Sequence, residues 1–316
     1  MLLLYHEQVT KNLFIGFVNI MNKIFKLRQL LFGIMAGSLM LSCFNKSEQK
    51  ETMSEDILQK NVLVLDDFIE RDIDINDDDT CDITHGELVS KIIEAGLPEY
   101  NVDKIDAHIR CFSDSDYKQE LFDNIVRGKK RYEAANVSIG PNISYKELSE
   151  RTGIDVNREN VASKAKEIKA YLKNHPDDYL MNGNIFMNAK MGGIADFLDV
   201  LDSLNAKGTK VYVSTSNSGP HYLNLVSLAD GAVVVGSADS TGIKDYTSVN
   251  SLVKRFCDDA VKISKTNDGY SIDGGKTTAF VNSEVTKGSN KPYPHIHEGA
   301  SFSTPRLLVL DISMHK

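Results

Sequence analysis

Four short apolar stretches, separated by segments with helical patterning, constrain the fold of this chain more than any other feature. Residues 61–65 read Asn-Val-Leu-Val-Leu, a continuous run, and 134–139, 211–215 and 231–236 read as further strands. A strand with water on one face alternates apolar and polar side chains. A run without alternation marks a strand covered on both faces, the usual condition in a parallel sheet. The intervening segments keep the helical period. Leu88, Val89, Ile92 and Ile93 make one buried face, and Ile194, Phe197, Leu198, Leu201 and Leu204 make another, ended by Gly208. Ser144 and Glu147 form a capping box that predicts a helix over 145–152, and 161–174 is a Lys-rich amphipathic helix stopped by Pro176. Strands are also predicted at 104–111 and, as a pair around Asp273-Gly274-Gly275, within 270–281; a helix is predicted at 116–131. This alternation implies an α/β fold, with a mainly parallel central sheet flanked by helices on both faces.

In open sheets of this kind, chemistry gathers at the carboxyl ends of strands. The first apolar run ends in Asp66-Asp67, and Asp66 continues the strand. His85 opens the helix of Thr84-His85-Gly86-Glu87-Leu88-Val89. The second run continues Asn136-Val137-Ser138-Ile139-Gly140, the third leads into Ser216-Asn217-Ser218-Gly219-Pro220, and near the end stands Gly299-Ala300-Ser301-Phe302-Ser303-Thr304-Pro305. Each has a plain structural reading: a strand ending in an acid, a capping histidine, a turn, and a loop of small residues. In this order they resemble the motifs of the subtilisin-like serine proteases, whose triad runs Asp, His, Ser along the chain.

The resemblance covers about residues 61–305 and implies acyl transfer. Ser301 is the nucleophile, His85 the general base, Asp66 its orienting carboxylate and Asn217 the oxyanion donor. The backbone of Ser138, Ile139 and Gly140 pairs with extended substrate. On this reading Pro305 lies just inside a helix start, where a proline costs no hydrogen bond. The chain departs from the family pattern in several places. Glu87, Leu88 and Ser90 replace the usual Thr, His and Ala. Residues 141–191 carry a helical insertion, which either modifies the cleft or decorates the surface. Only residues 306–316 follow Pro305, so the carboxyl-terminal part is expected to be shortened.

The segment 1–42 reads as a signal peptide, with a start also available at Met21. Lys23, Lys26 and Arg28 precede a short apolar run, and Leu39-Met40-Leu41-Ser42-Cys43 resembles a bacterial lipobox with Cys43 as the lipidated residue. The run is short for a membrane span of roughly 20 residues. Residues 43–60 form a polar tether, too short for a folding prodomain, and 61–316 form the catalytic domain.

A net charge of −8 excludes nucleic acid as a partner, since no basic stripe exists to displace counterions. With Cys43 lipidated, Cys81, Cys111 and Cys257 remain, and Cys81 with Cys111 is the favoured bridge. The acidic run 72–82 lacks the glycine and glutamate of an EF-hand; a less regular structural calcium site and a solvated loop both fit. His295-Ile296-His297 lacks a third metal ligand and reads as a polar approach loop. The resulting expectation is a serine endopeptidase that needs no cofactor. It acts on proteins or peptides and is held by lipid to the membrane of the bacterial envelope. The alternative is a catalytically impaired relative serving as a binding module.

Overall fold

The computed structural model describes residues 60–69, 71–73, 83–107, 123–181, 188–239, 242–266, 269–272, 295–297 and 299–315. All lie in the second of two units that divide between Ile57 and Leu58. Their centre is a sheet of β1 (Asn61–Asp66), β2 (Asn101–Asp106), β3 (Ala134–Val137), β4 (Lys210–Ser214), β5 (Val233–Asp239), β6 (Gly242–Ile243) and β7 (Val253–Cys257). The spatial order is β2-β1-β3-β4-β5-β7. These strands are parallel, and β6 folds back antiparallel on the end of β5. The strand order reverses at β1, between β2 and β3, which opens a crevice at its carboxyl end.

Side-chain alternation along β1 divides the core. Val62 and Val64 face α1 (His85–Gly96) and α5 (Ala300–Met314), packing with Leu88, Ile93, Tyr212, Phe302 and Leu308. Leu63 and Leu65 point the other way, with Val211 and Val213, toward α2 (Tyr145–Thr152), α3 (Val161–Asn174) and α4 (Met191–Ala206). Helices therefore cover both faces, as the unbroken apolar runs require. Among the described residues no helix is long and apolar enough to cross a membrane.

Several expectations are corrected. The second strand starts at Asn101 rather than Lys104. Among the described residues it pairs only with β1; its side chains stay partly exposed and its apolar signal is weak. Within the predicted helix at 116–131 the described part holds one π-helical turn, Asp123–Arg127, and the chain from Gly128 onward is not helical. The strand Gly269–Ile272 pairs with Val261–Thr266 before it; the expected partner beyond Gly274 lies outside the described residues. His295–His297 is not a loop but a third strand on Val261–Thr266.

The described part of the segment 141–191 contributes to the core. Asn142–Ser144 pairs antiparallel with Tyr222–Asn224, just beyond the Asn217 turn. Helices α2 and α3 contribute Leu148, Ile168 and Leu172, all fully buried. Lys169 Nζ on α3 lies 2.5 Å from Asp202 and 3.0 Å from Asp230, clamping α3 to α4 and the turn before β5.

Candidate active site

Asp66 is the last residue of β1 and is completely buried. Its Oδ1 accepts the Asp67 N–H at 2.8 Å and lies 2.7 Å from His85 Nδ1. A carboxylate can only accept, so Nδ1 donates and Nε2 keeps its lone pair for another proton. The Asp66 Oδ2 atom is buried and has no hydrogen-bond partner among the described residues.

The start of α1 explains how the pair forms. Thr84 caps the helix, accepting from the Glu87 N–H at 3.1 Å, while Glu87 Oε2 accepts the Thr84 N–H at 2.9 Å. The glutamate that departs from the family pattern thus completes a capping box. Next to His85, the Gly86 N–H donates to Asp67 O at 2.8 Å. A Cβ at Gly86 would sit 2.6 Å from that same oxygen and 2.9 Å from the Phe68 ring, so only glycine lets the exit of β1 lie against the start of α1.

Ser301 is the second residue of α5 and is nearly buried. The turn before it is tied at successive amides. The Gly299 N–H donates to Asp259 Oδ2 at 2.9 Å, and the Tyr246 hydroxyl donates to the same oxygen. The Ala300 N–H donates to Asn217 Oδ1 at 2.8 Å. The Ser301 N–H, one of the free donors of a helix start, reaches no acceptor among the described residues. Holding Asn217 by its oxygen turns its Nδ2 toward the nucleophile. A Cβ at Gly299 would lie 3.0 Å from Asn217 Nδ2 and 3.3 Å from Ser301 Oγ, so both atoms border one point of backbone. The Asn217 turn is itself braced, by Ser248 N–H to Ser216 O at 2.9 Å and Gly219 N–H to Tyr246 O at 2.8 Å.

Across the cleft, the His85 ring packs on Phe302, with ring centroids 5.2 Å apart. The imidazole is therefore beside the nucleophile's neighbour, yet the Ser301 hydroxyl makes no hydrogen bond to His85 or any other described residue. Links of this kind are often open in free enzymes and close with substrate.

Of the predicted substrate edge, the Ile139 and Gly140 N–H groups donate to no described residue. The Ile139 carbonyl receives a long 3.4 Å bond from Asn224 Nδ2. The Ser138 side chain turns inward: its hydroxyl donates to Ser301 O at 2.8 Å and accepts from Asn136 Nδ2 at 2.9 Å. The expectation for Pro305 is corrected. It is the sixth residue of α5, inside the helix, where it does remove a hydrogen bond.

Structure brings Asp66 to His85, and Asn217 and Ser138 to Ser301, across long stretches of chain. It also adds Asp259 and Tyr246, which sequence reasoning missed, and gives contacts to Asn136 and Phe302, which the motifs contained without a role. Asp259 stands in Cys257-Asp258-Asp259, where no motif marks it. Cys257 is a free, half-buried thiol, and burial pushes it up to about 11, away from thiolate chemistry near neutral pH. Cys43, Cys81, Cys111 and most of the acidic run lie outside the described residues. Among the described residues no three His, Cys, Asp or Glu side chains gather as metal ligands.

No protein-family model matches the chain, and no curated protein does. Solved proteases do. A lanthipeptide protease is 13% identical with a TM-score of 0.43, over 79% of this chain and 71% of its own. The nisin leader peptidase NisP from Lactococcus lactis is 12% identical with a TM-score of 0.44, over 82% and 78%. The epidermin leader peptide processing serine protease EpiP from Staphylococcus aureus is 10% identical with a TM-score of 0.44, over 81% and 65%. At such distances residue roles rest on the geometry of this site.

Proposed function

We propose that this protein is a subtilisin-like serine endopeptidase. The observation that carries the reading is the 2.7 Å pair of buried Asp66 and partly exposed His85, set beside a helix start that presents Ser301 and the Asn217 amide. Ser301 Oγ attacks the peptide carbonyl carbon while His85 Nε2 takes its proton. Asp66 holds the imidazole tautomer and stabilises the imidazolium. Asn217 Nδ2 and the Ser301 N–H stabilise the oxyanion. The C–N bond then breaks, the amine leaves with the proton from His85, and an ester to Ser301 remains. Water, deprotonated by His85, hydrolyses that ester and restores the serine. An extended peptide adds a strand along Ile139–Gly140, whose N–H groups donate to no described residue and suit that pairing. The lipobox-like Cys43 supports lipid attachment at the cell envelope, with proteins or peptides there as substrates.

Labelling with a fluorophosphonate probe tests the reading. Wild-type protein is expected to label, and Ser301→Ala and His85→Ala are not. Folded wild type that shows no Ser301-dependent labelling would sink it. That outcome would favour the second reading, a binding module that keeps the site without turnover, which the open His85–Ser301 link supports.

A further inference from the structure

Pro305 and Ser138 meet at one atom. In a regular helix the carbonyl of Ser301 would accept the N–H of the residue four positions on. That residue is Pro305, which has no N–H, and its ring crowds the carbonyl four residues before it. The carbonyl so displaced and deprived belongs to the nucleophile. Its replacement donor comes from another element: the Ser138 hydroxyl, 2.8 Å away at the end of β3. Asn136 Nδ2 donates to that hydroxyl at 2.9 Å, occupying one of its lone pairs and leaving its proton for Ser301. Asn136 and Ser138 are both buried, so water does not substitute freely.

We infer that Ser138 is a positioning residue for the nucleophile, and that Pro305 creates the need for it. The proline opens the helix's own bond at Ser301, and the sheet takes over that bond. The backbone of Ser301 is thereby fixed to the strand end whose next residues, Ile139 and Gly140, form the proposed substrate edge. This inference rests on the protease reading for its kinetic consequence, but not for the bond itself.

The test is a double-mutant cycle of Ser138→Ala and Pro305→Ala, with Ser138→Thr as the conservative control. Ser138→Ala leaves a buried carbonyl unpaired, and kcat is expected to fall about tenfold, with KM moving less. Pro305→Ala restores an N–H four residues on, so the double variant should recover most of the loss. Ser138→Thr keeps a hydroxyl and should retain most of the wild-type rate. Urea unfolding midpoints of the same four proteins read the bond without activity. Ser138→Ala should lower the midpoint, and Pro305→Ala should raise it more in that background than in the wild type. Additive effects in both readouts, with no rescue, would overturn the inference. If wild type does not label with fluorophosphonate, the protease reading fails while the unfolding cycle still decides the bond.

Discussion

Asn217 uses both ends of its amide: the oxygen is fixed by the Ala300 N–H, and the nitrogen borders Ser301. Asn217→Ala should lower kcat on the order of 10²- to 10³-fold with little change in KM, the size known for subtilisin's own donor. A rise in KM in place of the fall in kcat, seen in steady-state kinetics on a peptide substrate, would point to substrate binding instead. Cys257 offers a separate check on burial. Its thiol is pushed up to about 11, first by burial, so in the native protein iodoacetamide at mildly alkaline pH should modify it far more slowly than in urea. Peptide mass spectrometry reads this site by site. Fast native alkylation would show that the strand end beneath Ser303, whose hydroxyl donates to Cys257 O, opens readily.

At the scale of the element, α5 carries the nucleophile at one end and an anchor near the other. Asp311 is buried and accepts from Lys210 at 2.8 Å, Tyr212 at 2.8 Å and Arg255 at 2.6 Å. Burial works against its charge, but those three donors outweigh it and hold the carboxyl below the ordinary range. A depressed folded pKa contributes stability above the unfolded value, about 3.9, and that stability is lost as the pH falls through the folded one. Asp311→Asn should therefore flatten the acid side of the stability profile, measured by thermal unfolding from neutral pH downward. Lys210 and Arg255 are about half exposed and can rehydrate. The Tyr212 hydroxyl is buried and cannot, so Asp311→Ala should cost about 1–3 kcal/mol and Tyr212→Phe should recover part of it. The packing of α5 on α1 is equally tight. A Cβ at Gly96 would lie 2.4 Å from Val309 Cγ1 and 2.9 Å from Cγ2. Valine has little rotamer freedom in a helix, so Gly96→Ala should destabilise by about 1–3 kcal/mol in urea unfolding, despite the better helix propensity of alanine.

For the molecule as a whole, the helices between β3 and β4 share a core layer with the strand that carries Asp66 and are expected to unfold together with it. Leu172 on α3 is fully buried in the layer that also holds Leu63 and Leu65 of β1. Leu172→Ala should cost about 2–5 kcal/mol and lower a single unfolding transition; a separate early transition would show that the insertion melts alone. The fold was legible in residues such as Val62, Leu63, Val64 and Leu65, because covering a strand on both faces demands an unbroken apolar run and leaves little choice of layer. The end of β1 and the start of α1 were equally legible, since their chemistry is local: a strand that stops at Asp66 and a cap at Thr84; the start of α5 was placed less well, because Pro305 lies inside the helix. Other features depend on which elements become neighbours, and no local pattern encodes that. Asp259 bonds to Gly299 only because the turn after β7 lies against the start of α5. Ser138 turned inward to Ser301 because a proline far along the chain had emptied a carbonyl there. The role of the inserted helices was likewise settled by the space left above one face of the sheet, which α2, α3 and α4 fill together.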